Sequence, residues 1–200
     1  PYLLKQFLHE LLTTRYQANE LPRERMDYVG IPLSAQVSAI SLQLNRPGFL
    51  TKMKERDWQL LRYGAADIIQ ETIKERTVRL PNSQVEIVDY SDQVFVLLLF
   101  GGEELLDEMY SLVERMIDQV FTYLKMEMSA GIGTPKNHLC EVMDSYLESR
   151  EALEMAEFQG GSRIYSFNSI QRVETSVHDY SMLLQQWNES WADMKIDLAE

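Results

Sequence analysis

The sequence is short of cysteine, of basic charge and of long apolar runs, and each shortage removes a class of explanation. Cys140 is its one cysteine, so an internal disulfide is excluded and a reducing compartment fits. Leu139 and Val142 flank that cysteine in a helical pattern, which makes it a small buried hydrophobe. Basic residues number 19 against 31 acidic, for a formal net charge of -12, a balance that repels a phosphate backbone unless a local basic patch overrides it. The densest basic cluster, Lys52 to Arg56, reads as the solvated start of a helix. No apolar run approaches the roughly 20 residues that span a bilayer, and nothing at the start resembles a signal peptide. A cytoplasmic protein is expected. The chain opens at Pro1 without a methionine and stops within a helical pattern, so it reads as a piece of a longer protein.

Catalytic signatures are equally scarce. There is no glycine-rich phosphate loop with a lysine, no paired zinc spacing and no serine elbow. The three histidines are His9, His138 and His178. His9 falls on the polar edge of a first helix as a solvated residue without a second ligand at metal spacing; His138, before Cys140 and Glu141, reads as a helix-edge polar group and not as part of a nucleophile set, and His178 beside Asp179 reads as solvated.

What is present is organised around residues 85 to 100. Two β-rich runs, Val85 to Val88 and Val94 to Phe100, flank the polar stretch Asp89-Tyr90-Ser91-Asp92-Gln93, the pattern of a hairpin. The second run is apolar on both faces, so a central strand covered by helices on at least one side is predicted.

Upstream, Leu3, Leu4, Phe7, Leu8, Leu11 and Leu12 predict an amphipathic helix that fades near Thr13 or runs on to Tyr16. Pro22 and Gly30 bracket a short helix over Arg23 to Val29. Val37 to Leu44 alternates as a strand and runs into Asn45-Arg46-Pro47-Gly48, a loop. Asp57 is the expected N-cap of a helix reaching about Arg76. Downstream, apolar residues from Leu105 to Leu124 recur at helical spacing, Met126 to Ile132 alternates as a strand, a helix is predicted from Lys136 to Phe158, and Arg163 to Phe167 is a last short strand.

The tail obeys a different rule. From Ile170 to Leu198 apolar residues step by threes and fours, Leu184, Trp187 and Trp191 among them, the seam of a coiled coil. Two tryptophans are bulky for a narrow seam, so pairing with a second subunit and docking on the chain's own surface both stand. Three segments result: an N-terminal helical segment over 1–30, an α/β domain over 31–167 and a heptad-patterned helix over 168–200. Leu4, Phe7, Leu11, Leu184, Trp187 and Trp191 are the candidate interface residues.

The order of elements, with particular residues, resembles a known family. Phe7-Leu8-His9-Glu10-Leu11-Leu12 with Tyr28-Val29-Gly30-Ile31-Pro32-Leu33, then Ser129-Ala130-Gly131-Ile132-Gly133 and Ser145-Tyr146-Leu147-Glu148-Ser149-Arg150-Glu151-Ala152-Leu153, look like the GGDEF-like middle domain of YesN-type AraC-family response regulators, with kin among regulators of the CdaR type. The resemblance implies a ferredoxin-like α/β sandwich with a mostly antiparallel sheet of about five strands flanked by helices. It also implies a bacterial two-component transcription regulator as parent, with a receiver upstream, a helix-turn-helix module downstream, and a relay or homodimerisation role for this piece. Direct nucleic-acid binding by the piece itself, and a membrane, are not expected.

Gly101-Gly102-Glu103-Glu104-Leu105 imitates the letters of an active cyclase. Position argues otherwise, because the chemistry needs an acid at a hairpin tip holding a metal against a triphosphate, whereas here a strand precedes the motif and a helix comes after it. Glycines turn the chain, and acids in a first helical turn are stabilised by about 0.3 to 1 kcal/mol each. At the hairpin itself the resemblance aligns Ser91, Asp92, Gln93 and Val94 with the two glycines and two acids, so the metal-binding glutamate becomes Val94. The other metal carboxylates align near Gln43 and Asn45, both neutral amides, and magnesium prefers charged oxygens. No Arg-x-x-Asp pair precedes the hairpin, so the product-binding inhibitory site is expected to be missing too. The expectation is a non-catalytic domain without metal or cofactor. The alternative is a sensor of a nucleotide or other small molecule in a degenerate pocket lined by Asn45, Tyr90 and Asp92; an active cyclase working through Gly101 to Glu104 ranks third.

Overall fold

The computed structural model describes residues 2–17, 20–31, 36–45, 53–77, 83–159 and 164–169. The heptad segment with Leu184, Trp187 and Trp191 lies outside them, as do the side chains of residues 103–107. The chain divides into two compact units, Pro1–Phe167 and Asn168–Glu200.

The first unit contains helix α1 (Tyr2–Thr13), α2 (Arg23–Val29), strand β1 (Gln36–Asn45), α3 (Glu55–Thr77), β2 (Gln84–Asp89), β3 (Val94–Gly101), α4 (Glu103–Leu124), β4 (Glu127–Ile132), α5 (Val142–Gln159) and β5 (Ile164–Ser166). The sheet order is β2-β3-β1-β4-β5. β3 pairs antiparallel with both β2 and β1, β1 pairs antiparallel with β4, and β4 pairs parallel with β5. β1-α3-β2 and β3-α4-β4 are thus two split β-α-β units, each straddling a strand of the other. The mixed α+β sandwich expected from the sequence is the fold found.

β3 explains why two helical layers are needed. Its alternate residues Phe95, Leu97 and Leu99 pack with Trp58, Ala65 and Ile69 of α3 and Leu112, Val113 and Met116 of α4. Val96, Leu98 and Phe100 pack on the opposite face with Phe7, Leu8 and Leu11 of α1, Met26 of α2 and Tyr146 of α5. A strand apolar on both faces is stable only when water is excluded from both, so this run had to be interior.

The α5 face is built on small residues. Ser145 Oγ accepts the Ala39 N–H at 2.9 Å and donates to the Thr134 carbonyl at 2.8 Å. The Ser41 and Ser149 hydroxyls lie 2.7 Å apart, and Ser149 Oγ also donates to the Tyr146 carbonyl. Opposite them, a Cβ at Gly131 would collide with the Ser149 carbonyl and sit 2.9 Å from Leu153 Cβ, and one at Gly133 would collide with Ser145. The glycines of 129–133 and the serines of 145–153 are therefore two halves of one close contact, which gives that signature a packing reason.

Two boundaries differ from expectation. Asp57 is not the N-cap: α3 begins at Glu55, and the N–H groups of Asp57 and Trp58 both donate to the Lys54 carbonyl, at 2.9 and 3.1 Å. The helix expected from Lys136 starts later, because Lys136 exchanges backbone hydrogen bonds with Val37 at 2.8 and 2.9 Å and is extended. A 3-10 turn over Leu139–Glu141 then leads into α5. Helical periodicity continued past the point where pairing with β1 satisfied the backbone better.

Candidate functional site

The hairpin tip and the adjoining end of β1 form the candidate site. The N–H groups of Tyr90 and Ser91 converge on the Val94 carbonyl at 3.1 Å each, Val94 N–H returns to the Ser91 carbonyl at 3.4 Å, and Leu44 N–H ties the Gln93 carbonyl to β1 at 2.9 Å. Across the β1–β3 ladder Gln43 lies directly opposite Val94, and Leu42 opposite Phe95. On the other side of β1, Gln43 faces Ser129, and Asn45 Nδ2 donates to the Ser129 hydroxyl at 3.2 Å. Gln43 and Val94 therefore stand side by side, with Asn45 two residues further along the same end of β1. Their side chains offer two neutral amides and an isopropyl group. Among the described residues no three His, Cys, Asp or Glu side chains approach closely enough to hold a metal ion.

The tip is gripped by the first turns of α3. The Asp92 carboxylate accepts Trp58 Nε1–H at 3.1 Å and Gln59 Nε2–H at 2.9 Å. Arg62, only 8% exposed, donates to the Asp89 carboxylate and to the Ser91 carbonyl at 2.8 Å, with its guanidinium 4.9 Å from the Phe95 ring centroid. These contacts fill the angle between hairpin and helix. The sequence reading missed the grip, although one signal was available: Arg62 sits on the same inward stripe as Trp58, Ala65 and Ile69, where a cation must find partners.

Tyr90 turns to the other face. Its ring stacks on His9 of α1, with centroids 5.7 Å apart and planes 17° apart, and meets Tyr146 of α5 at 5.3 Å and 51°. Arg150 donates to Tyr146 Oη at 3.2 Å. Burial, then the hydrogen bond with Tyr90, pushes the Tyr146 phenol up to about 12. His9 is exposed as expected, but one flank of its ring is covered.

The three residues proposed for a ligand pocket are thus distributed rather than gathered. Asp92 belongs to the α3 face, Tyr90 to the α1/α5 face, and Asn45 to the end of β1. The candidate interface residues divide as well: Phe7 and Leu11, at 1% and 0% exposure, lie in the domain's own core, and Leu4 is half-buried against it. The Gly101 to Glu104 stretch lies at the opposite end of β3 from the tip, roughly 23 Å away along the strand. Gly102 is extended there and α4 starts at Glu103, so strand, turn and helix succeed one another as the sequence indicates.

Two interleaved split β-α-β units covered by helices on both faces define an α/β sandwich of ferredoxin-like topology. The sequence profile of the GGDEF-like domain matches residues 15–155, and the chain belongs to that family. The fold is shared with the GGDEF domain of DgcB from Caulobacter crescentus, solved in complex with c-di-GMP, at TM-score 0.50 and 13% identity over 75% of this chain and 87% of that one. It is likewise shared with the FimX GGDEF domain from Pseudomonas aeruginosa, at TM-score 0.50 and 16% identity over 75% of this chain and 97% of that one. No curated protein matches the sequence. Among the described residues no helix is long and apolar enough to cross a membrane.

Proposed function

We propose that this domain is catalytically silent and serves signal relay or subunit pairing in a cytoplasmic bacterial transcription regulator of the AraC-type two-component class. The observation that carries the reading is the cross-strand pair Gln43–Val94 with Asn45 beside it. Two-metal phosphoryl chemistry needs anionic oxygens there to neutralise and orient Mg²⁺, and none of the three side chains supplies a charge. The tip acid is engaged by α3, with Asp92 accepting two side-chain hydrogen bonds from it. The regulator context rests on the sequence resemblance, which implies an upstream receiver and a downstream helix-turn-helix module.

Incubation with GTP and Mg²⁺ or Mn²⁺ tests the reading. No cyclic dinucleotide is expected to form. Product that disappears in a Glu104→Ala variant would overturn it, by making the turn before α4 a working site. A melting-temperature screen against nucleotides and metabolites separates relay from sensing, because a ligand that binds only the folded state raises the transition.

A further inference from the structure

We propose that two copies of this chain pair edge to edge through β2, joining their sheets into one; the inference rests on the pairing role above and gives it a location. β2 is the outermost strand on its side of the sheet and pairs with β3 alone. Bonding alternates along such a ladder. Tyr90 N–H donates to the Val94 carbonyl at 3.1 Å, while the Gln93 carbonyl turns to β1 and accepts Leu44 N–H at 2.9 Å. Even-numbered residues of β3 therefore bond to β2, so Gln84, Glu86 and Val88 exchange bonds with Phe100, Leu98 and Val96 opposite them. Val85, Ile87 and Asp89 send their backbone N–H and C=O groups the other way, and among the described residues no group takes them up.

The edge also lacks the features that keep edges apart. Its sequence, QVEIVD, has no proline and no lysine, and its register with β3 runs unbroken from Gln84 to Asp89 without a bulge. The opposite edge strand, β5, is only three residues long. Of the two acids on β2, Asp89 is paired with Arg62, and Glu86 accepts a bond from Gln84 at 2.9 Å. The unpaired backbone groups specify an extended strand as the occupant, because a strand presents N–H and C=O at that spacing. Self-complementarity selects a copy. Positions 85, 87 and 89 are centred on Ile87, so a two-fold antiparallel arrangement sets Ile87 against its own copy and Val85 against the partner subunit's Asp89. Each pair exchanges both bonds, about six in all. Ile87 is only partly buried, against the α3 side of the core; on the axis it meets an identical apolar side chain with backbones about 5.5 Å apart. The two Glu86 carboxylates become diagonal neighbours.

Sedimentation velocity and amide exchange on the full chain, up to about 500 μM, test the proposal, with Ile87→Pro, Ile87→Lys and Glu86→Gln alongside the unaltered protein. Self-association is expected, and with it slower exchange at the Val85, Ile87 and Asp89 amides, while those of Glu86 and Val88 are protected at every concentration. Ile87→Pro removes an outward N–H and no bond to β3, so it should keep the parent's circular dichroism and weaken pairing about tenfold or more. Ile87→Lys puts a charge on the axis and should weaken pairing likewise, which keeps the test decisive if the proline variant does not fold. Glu86→Gln removes the diagonal repulsion and should tighten pairing about two- to fivefold; unchanged or weaker pairing overturns the register centred on Ile87. A dimer indifferent to both Ile87 variants, or without added protection at 85, 87 and 89, overturns the location and leaves the pairing role standing. A monomer at every concentration overturns the edge and the pairing role together, and leaves the catalytic question to the GTP assay.

Discussion

Tyr16 and Tyr146 show how single contacts couple this fold to pH. Tyr16 donates to Glu10, which also accepts from Arg25. Burial first, then that carboxylate, raises the Tyr16 phenol from its usual 10.0 to about 12. The same contact, led by the hydrogen bond from Tyr16, lowers the Glu10 carboxyl below 4.5. A raised phenol means that the unfolded chain loses its proton first, so the stabilisation is complete below pH 10.0 and declines as pH rises towards about 12. Glu10 acts at the other end, with stabilisation present above 4.5 and lost as pH falls below it. The expected result is a melting temperature that drops between pH 10 and 12, and a shallower drop in a Tyr16→Phe/Tyr146→Phe double variant. An equally steep drop in that variant would assign the alkaline transition to other groups.

At the scale of elements, the contact between α5 and the sheet is the least forgiving. Gly131 and Gly133 leave no room for a methyl group, because the α5 backbone occupies the space a Cβ would take. Overpacking typically costs about 1 to 3 kcal/mol, and more where backbone rather than a flexible side chain must move. Gly131→Ala is therefore expected to destabilise by about 3 kcal/mol or more in urea unfolding. Gly102→Ala serves as the contrast. It meets nothing within 4 Å, and its φ of -100° suits any residue, so a change within about 0.5 kcal/mol is expected. A large effect at Gly102 with a small one at Gly131 would reverse the roles assigned to the two glycine pairs.

For the whole molecule, α1 is structural. Phe7, Leu8, Leu11 and Leu12 bury completely against β3, α2 and α5, within the same compact unit as the sheet. Leu11→Ala should cost about 2 to 5 kcal/mol and lower the urea midpoint of the domain as a unit. A separate early transition confined to α1 would show instead that the helix is an appendage. Its contact with the hairpin runs from His9 to Tyr90 and on to Tyr146.

Much of this was legible in the chain of letters, since strands and helices arise from apolar periodicity and hairpin boundaries from turn chemistry, both local properties. β3 announced its central place by being apolar at every position from Val94 to Phe100, and the uncharged side chains at 43, 45 and 94 were visible in the letters themselves. Three things were settled only by tertiary structure: which residues stand opposite one another, where Arg62 finds its partners, and that Tyr90 and Asp92 lie on different faces. Periodicity gives the side of an element on which a residue sits. It says nothing of what another element, dozens of residues away, brings to that side.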